Sequence, residues 1–175
     1  YSVAGKNSPK KENYLPYMAP DGENFRGINA VRLLSQGKDY TLDKIIADGY
    51  NSKLSIFEVL IPALVVSFEK NIQPENPLYH ELNEPISILK QWDYNANESS
   101  VATTLANEWA YKLNPIIQKV YIKEGESDQV ENTIQFAKTA TVNELIPQLQ
   151  VVVNELKTKF GSWQIPWGDL NRFQR

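Results

Sequence analysis

The stretch SKLSIFEVLIPALVVSFEKN, residues 52–71, is the most apolar run of the chain. Its aliphatic and aromatic side chains fall on most faces of a helix, and a helix of that kind belongs at the centre of a domain. Pro62 removes one backbone donor and clashes with the previous turn, so it should kink the helix. The run stops well short of the roughly 20 apolar residues that a membrane span requires. We therefore expect residues 54–68 to form the central helix of a helical domain.

Two further helices are predicted before this run. Asn24 is a suitable N-cap for a helix that ends at Gln36, and Gly37 is expected to be its C′ glycine. Thr41 can cap a shorter helix that runs to Asp48 and stops at the glycine that follows.

Proline and capping residues divide the chain after residue 71 into several more helices. Asn76 and Glu84 each precede a proline, a pattern that starts helices, so two short helices are expected there. Thr141 and Glu144 have the spacing of a capping box at the start of the last long helix. Pro115 is expected to break or bend the helix that begins at residue 100. The predicted helices cover residues 77–82, 85–92, 100–113, 116–122, 128–139 and 141–160.

These patterns predict an all-α protein. Strand signals are scarce, because no tight turn joins two runs of alternating apolar and polar residues. We expect an irregular orthogonal helical bundle that forms one domain over residues 1–175. Residues 1–22, which are polar and rich in turn residues, are expected to be mostly loop.

Charge and composition argue against several classes of function. The formal net charge is −3 and the pI is near 5.3, so the chain lacks the basic field that nucleic-acid binding requires. It has no cysteine and a single histidine, which argues against a transition-metal site. We expect no metal, no other cofactor, no nucleic-acid partner and no membrane contact.

Arg26 occupies an unusual position at the start of the first predicted helix. The helix dipole disfavours a cation in the first turn, so a partner for this charge is expected. On physical grounds alone, the plain interpretation is a surface arginine that pairs with Glu23 or Asp21.

Five blocks of the sequence follow one another in a recognisable order. They are YMAPDGENFRGINAVRLL (17–34), YTLDK (40–44), QWD (91–93), SVATTL with EW (100–109) and FGSWQIPWGDLNRFQR (160–175). Each block alone is weakly specific, but the ordered set covers nearly the whole chain. Together they resemble the β-subunit of the penicillin acylase (penicillin amidase) family of N-terminal-nucleophile hydrolases.

The resemblance implies an amide hydrolase whose nucleophile is a serine at a new chain terminus, with its own α-amino group as the base. That serine is expected upstream of Tyr1, so the chain resembles an internal segment that is inactive by itself. The resemblance also implies an oxyanion asparagine, expected just before Tyr1, and an arginine that orients it. Arg26 matches that arginine and is the candidate catalytic residue. Its replacement by lysine is expected to lower activity, and the effect of Arg32→Lys is expected to be far milder.

By the same resemblance, Tyr17, Met18 and Ala19 are candidate residues of the acyl pocket; the alternative is that they only anchor a loop. The implied substrate is a small acyl amide, such as a β-lactam side chain, an acyl homoserine lactone or a lipopeptide. The implied partners are the remaining acylase α and β chains, and the implied location is periplasmic or secreted. A free-standing all-helical interaction module without catalysis is the other interpretation, and the upstream sequence would discriminate between the two.

Overall fold

The computed structural model describes residues 11–15, 17–18, 22–121 and 128–172. Across these ranges the chain forms eight α-helices and no strand, and a short 3₁₀ turn, Lys11–Asn13, precedes the helices. The helices are α1 (Phe25–Gln36), α2 (Leu42–Gly49), α3 (Phe57–Asn71), α4 (Pro77–Gln91), α5 (Val101–Tyr121), α6 (Gln129–Thr139), α7 (Val142–Phe160) and α8 (Trp167–Leu170). The predicted all-α fold class is confirmed.

A hydrophobic core lies among helices α3 to α7. Helix α3 packs against α4, α6 and α7, and α5 packs against α4, α6, α7 and α8. Trp109 of α5 is fully buried, and its indole N–H donates to the carbonyl of Leu145 on α7 at 3.1 Å, which satisfies the buried donor. The buried side chains that α3 contributes are Phe57, Leu60, Ile61, Leu64, Val65 and Phe68. The predicted apolar run is therefore part of the centre, which it shares with α5 and α7.

Helix α3 begins at Phe57, several residues later than predicted. The backbone just before it forms a short antiparallel bridge with the segment after α4. The Leu54 N–H donates to the Tyr94 carbonyl at 2.8 Å, and the Ala96 N–H donates to the Ser52 carbonyl at 2.9 Å. Because these backbone groups are engaged in the bridge, they are not available for a first helical turn.

The helix break expected at Pro85 is wrong, and at Pro115, where a break or a bend was expected, the helix does not break. Helices α4 and α5 each continue through their proline, although a proline inside a helix costs about 3 kcal/mol relative to alanine. On α4, Leu82 and Pro85 itself lie on the buried stripe. On α5, Leu113 and Ile117 are buried on either side of the proline. Burial of these apolar groups offsets the cost of the lost backbone hydrogen bond, so packing keeps both helices continuous.

The predicted caps are largely confirmed. Asn24 begins α1 by accepting a hydrogen bond from the Gly27 N–H at 2.8 Å. At the start of α7, the Glu144 carboxylate accepts from the Thr141 N–H at 2.8 Å, as expected for a capping box. Gly161 ends α7 with a φ of 78°, the left-handed conformation that glycine adopts without strain.

Gly37 ends α1 in a different way from a left-handed C′ glycine. Its backbone is extended, with φ −81° and ψ 139°. Tyr40 folds back over it and places its hydroxyl 3.1 Å from the carbonyl of Leu33 and 3.2 Å from that of Leu34. A Cβ on residue 37 would lie 1.9 Å from that hydroxyl oxygen. Glycine is required here because the Tyr40 ring occupies the space of a side chain.

Gly37→Ala should lower the free energy of unfolding by about 0.5–1.5 kcal/mol, the usual net contribution of one hydrogen bond. The added methyl group must displace the Tyr40 ring. The Tyr40 hydroxyl then no longer donates to the carbonyls in the last turn of α1. Gly49→Ala is the matched control, because a Cβ there meets nothing within 4 Å and alanine favours a helix. Denaturant unfolding of both variants measures the difference, and equal stability of the two would contradict the role given to Tyr40.

Candidate functional site

Arg26 lies in the first turn of α1 with its side chain exposed. It forms no hydrogen bond and no ion pair with any residue that the structure describes. The pairing with Glu23 that the plain interpretation suggested is therefore absent, and Asp21 lies outside the described residues. The guanidinium is available to a group beyond the described part of the chain.

Two of the three predicted pocket residues can be located. Tyr17 and Met18 are 78% and 58% exposed, and Ala19 lies outside the described residues. The Met18 N–H donates to the Leu15 carbonyl at 2.9 Å in a turn. Side chains with this exposure do not pack beneath a helix and are free to contact another surface. Their assignment to an acyl pocket stays a prediction.

A polar cluster attaches α1 to the start of α3. Arg32 donates from Nη1 to both carboxylate oxygens of Glu58, at 2.9 and 3.1 Å. Its Nη2 donates to the Asn29 side-chain oxygen at 2.6 Å and lies 3.3 Å from the Ser55 hydroxyl. We call Asn29, Arg32, Ser55 and Glu58 the α1–α3 clamp. The bonds from the Arg32 guanidinium to Glu58 are charge-assisted and therefore stronger than bonds between neutral groups.

Further polar groups surround the clamp. The Asn29 amide donates to the Asn51 side-chain oxygen at 2.9 Å, so both polar atoms of this buried residue are satisfied. The ammonium nitrogen of Lys53 lies 3.4 Å from a carboxylate oxygen of Glu58. It also donates a hydrogen bond to the backbone carbonyl of the residue before Tyr94. Burial, and then the negative charge of Glu58, raise the pKa of Tyr94. Lys53 thus adds a second cation beside the Glu58 carboxylate.

The clamp was not predicted from the sequence. Asn29 and Arg32 are three residues apart, which places them on one face of α1, but their partners lie more than 20 residues further along the chain. The contacts also change the expectation for Arg32. A lysine at this position cannot reproduce the planar fork, so Arg32→Lys is not a neutral control for Arg26.

The outer surface of the α1–α2 pair carries exposed apolar side chains. Asn29 is the only buried residue of α1, and α2 has none. Large apolar side chains face outward instead: Leu34, Leu42, Ile45, Ile46 and Tyr50. We call these five residues the outer face. Exposed apolar groups that are close together usually mark a contact surface.

Other chemistry in the described ranges is sparse. His80 is exposed and lies edge-on to the ring of Tyr79, without an acid or nucleophile bonded to it. A cleft of about 250 Å³ between α3, α5 and α6 is lined by neutral amide, hydroxyl and apolar side chains, and contains no predicted site residue. The described part of the chain contains no group of three or more His, Cys, Asp or Glu side chains that could hold a metal ion. None of the helices described is both long and apolar enough to cross a membrane.

The family model for penicillin amidase matches residues 2–175, nearly the whole chain. No solved structure matches the chain significantly. The matched region includes Arg26, the clamp and the outer face, so all three lie within the part of the chain that the family model describes.

Proposed function

The chain belongs to the penicillin amidase family, and from this premise we propose that it is the helical part of an acylase β-subunit. The complete protein hydrolyses an amide to a carboxylic acid and an amine. The observation that carries this proposal is the match of the family model over residues 2–175.

In the proposed reaction, a serine at a chain terminus outside this segment attacks the amide carbonyl. Its α-amino group takes the hydroxyl proton and passes it to the leaving amine, and water then hydrolyses the acyl-enzyme. Negative charge develops on the carbonyl oxygen and requires donors that are held in place beforehand. Arg26 contributes by orienting the asparagine that is one of these donors. Its exposed side chain, without a partner among the described residues, supports this role.

The remaining acylase chains are the proposed partners. They cover the outer face of the α1–α2 pair and contact the exposed side chains of Arg26, Tyr17 and Met18. Burial of apolar side chains contributes about 25 cal/mol per Å² to such an association. We further propose a periplasmic or secreted location and a small acyl amide as the substrate.

Amide hydrolysis by the full-length protein tests the proposal. The purified, processed protein should release a chromophore from at least one of a phenylacetyl amide, a long-chain acyl amide and an acyl homoserine lactone analogue. Titration with a sulfonyl fluoride should reveal one nucleophile per molecule. A full-length protein that is folded and processed, yet hydrolyses none of these amides, would contradict the proposed activity.

A further inference from the structure

We propose that the α1–α3 clamp is a positioning device that sets the location of Arg26. The inference rests on the proposed function, since it takes Arg26 to act in the active site. It assigns Arg32 and Glu58 the task of fixing the helix that carries Arg26, without contact to the substrate.

The first reason is the weak apolar attachment of α1. Asn29 is the only buried residue of α1. The helix with which α1 makes extensive contact is α2, and α2 has no buried residue. Helices of globular proteins normally derive their position from a buried apolar stripe. Without such a stripe, the orientation of α1 depends on directional polar contacts.

The second reason is that the clamp uses its polar groups fully. Both carboxylate oxygens of Glu58, both atoms of the Asn29 amide and both terminal nitrogens of Arg32 are engaged in hydrogen bonds. The side chains of Arg32 and Glu58 are about one-third exposed, at 36% and 32%. Exposed ion pairs of this kind add little to stability unless several groups form a network, as the four residues of the clamp do here. The bonds of this network have fixed directions, so the network can orient α1 as well as stabilise it.

The third reason is the distance between Arg32 and Arg26. They are six residues apart on one continuous helix, which corresponds to about 9 Å along its axis. A displacement of α1 at Arg32 is transmitted to Arg26 because a helix of this length behaves as a rigid rod. A shift of about 1 Å in a group that orients the reacting atoms can cost roughly 10²-fold in rate.

The test compares two glutamates of α3 in the full-length, processed protein. Glu58→Gln weakens the bond to Arg32, whereas Glu69→Gln removes the charge from an exposed pair with Lys90 at the other end of the same helix. Glu58→Gln and Arg32→Lys should each lower kcat by about 10–10²-fold with little change in KM. Glu69→Gln should leave both parameters unchanged.

A second measurement, hydrogen exchange, does not depend on activity. In Glu58→Gln and Arg32→Lys, the α1 amides should exchange faster, while amides of α5 and α7 keep the protection of the parent protein. In an Arg26→Lys background, the clamp changes should add little further loss of kcat, because they act through Arg26.

The outcomes distinguish failure of the inference from failure of the proposed function. Unchanged α1 protection in both clamp variants overturns the inference, and so does faster exchange with an unchanged kcat. Loss of kcat that is fully additive with Arg26→Lys also overturns it, since the clamp would then act through another group. A parent protein without amidase activity would instead refute the proposed function, and with it the link to Arg26, whereas the exchange data would still show whether the clamp holds α1.

Discussion

Arg26→Lys in the full-length, processed enzyme should lower kcat by roughly 10²–10³-fold, the loss typical of one oxyanion donor. Lysine keeps the positive charge but lacks the planar fork that can hold an asparagine side chain and a second group together. The expected change is in kcat more than in KM, because the lost interaction is strongest in the transition state. Steady-state kinetics on a chromogenic amide measures it, with folding and processing checked separately.

Arg172→Lys is the matched control for this change. Arg172 is also exposed, and it pairs with Asp169 in an i,i+3 ion pair that should be worth only about 0–1 kcal/mol. Its replacement should leave kcat unaltered. An Arg26→Lys enzyme that is correctly processed and keeps the parent kcat would show that Arg26 is a surface residue without a role in the reaction.

A polypeptide of residues 1–175 alone should show no amidase activity. Its terminal residue, Tyr1, has a phenol in place of an aliphatic hydroxyl, and there is no cysteine to serve as an alternative nucleophile. Without the nucleophile, the remaining groups cannot form an acyl-enzyme. The assay is hydrolysis of chromogenic phenylacetyl and long-chain acyl amides by the purified polypeptide.

The control for this experiment must separate inactivity from misfolding. A far-UV circular dichroism spectrum dominated by helix would show that the polypeptide has folded, since the described chain contains helices and no strand. The full-length protein, assayed at equal concentration, supplies the positive signal. Turnover by the folded polypeptide that is titratable with a sulfonyl fluoride would refute the prediction and require a nucleophile within residues 1–175.

Local chemistry was predicted well from the sequence. The caps at Asn24 and Thr141 depend on residues within one turn of each other, so a local pattern suffices to predict them. The apolar run of α3 was also recognised as core, because its composition alone indicates burial.

Features that depend on distant residues were not predicted. The continuity of α4 and α5 through proline results from burial against other helices, and the late start of α3 results from a bridge to residues 94–96. The clamp joins Arg32 to Glu58 across 26 positions. No local pattern reveals such a pairing, so the clamp was missed, whereas Arg26 was singled out by the resemblance.

The contact between Tyr40 and the end of α1 has a consequence for the movement of the α1–α2 pair. Tyr40 closes α1, and Thr41, the next residue, caps α2 by accepting from the Lys44 N–H at 3.2 Å. No unrestrained residue separates these two contacts, so α1 and α2 should move as one unit, and a displacement of either helix should carry the other with it.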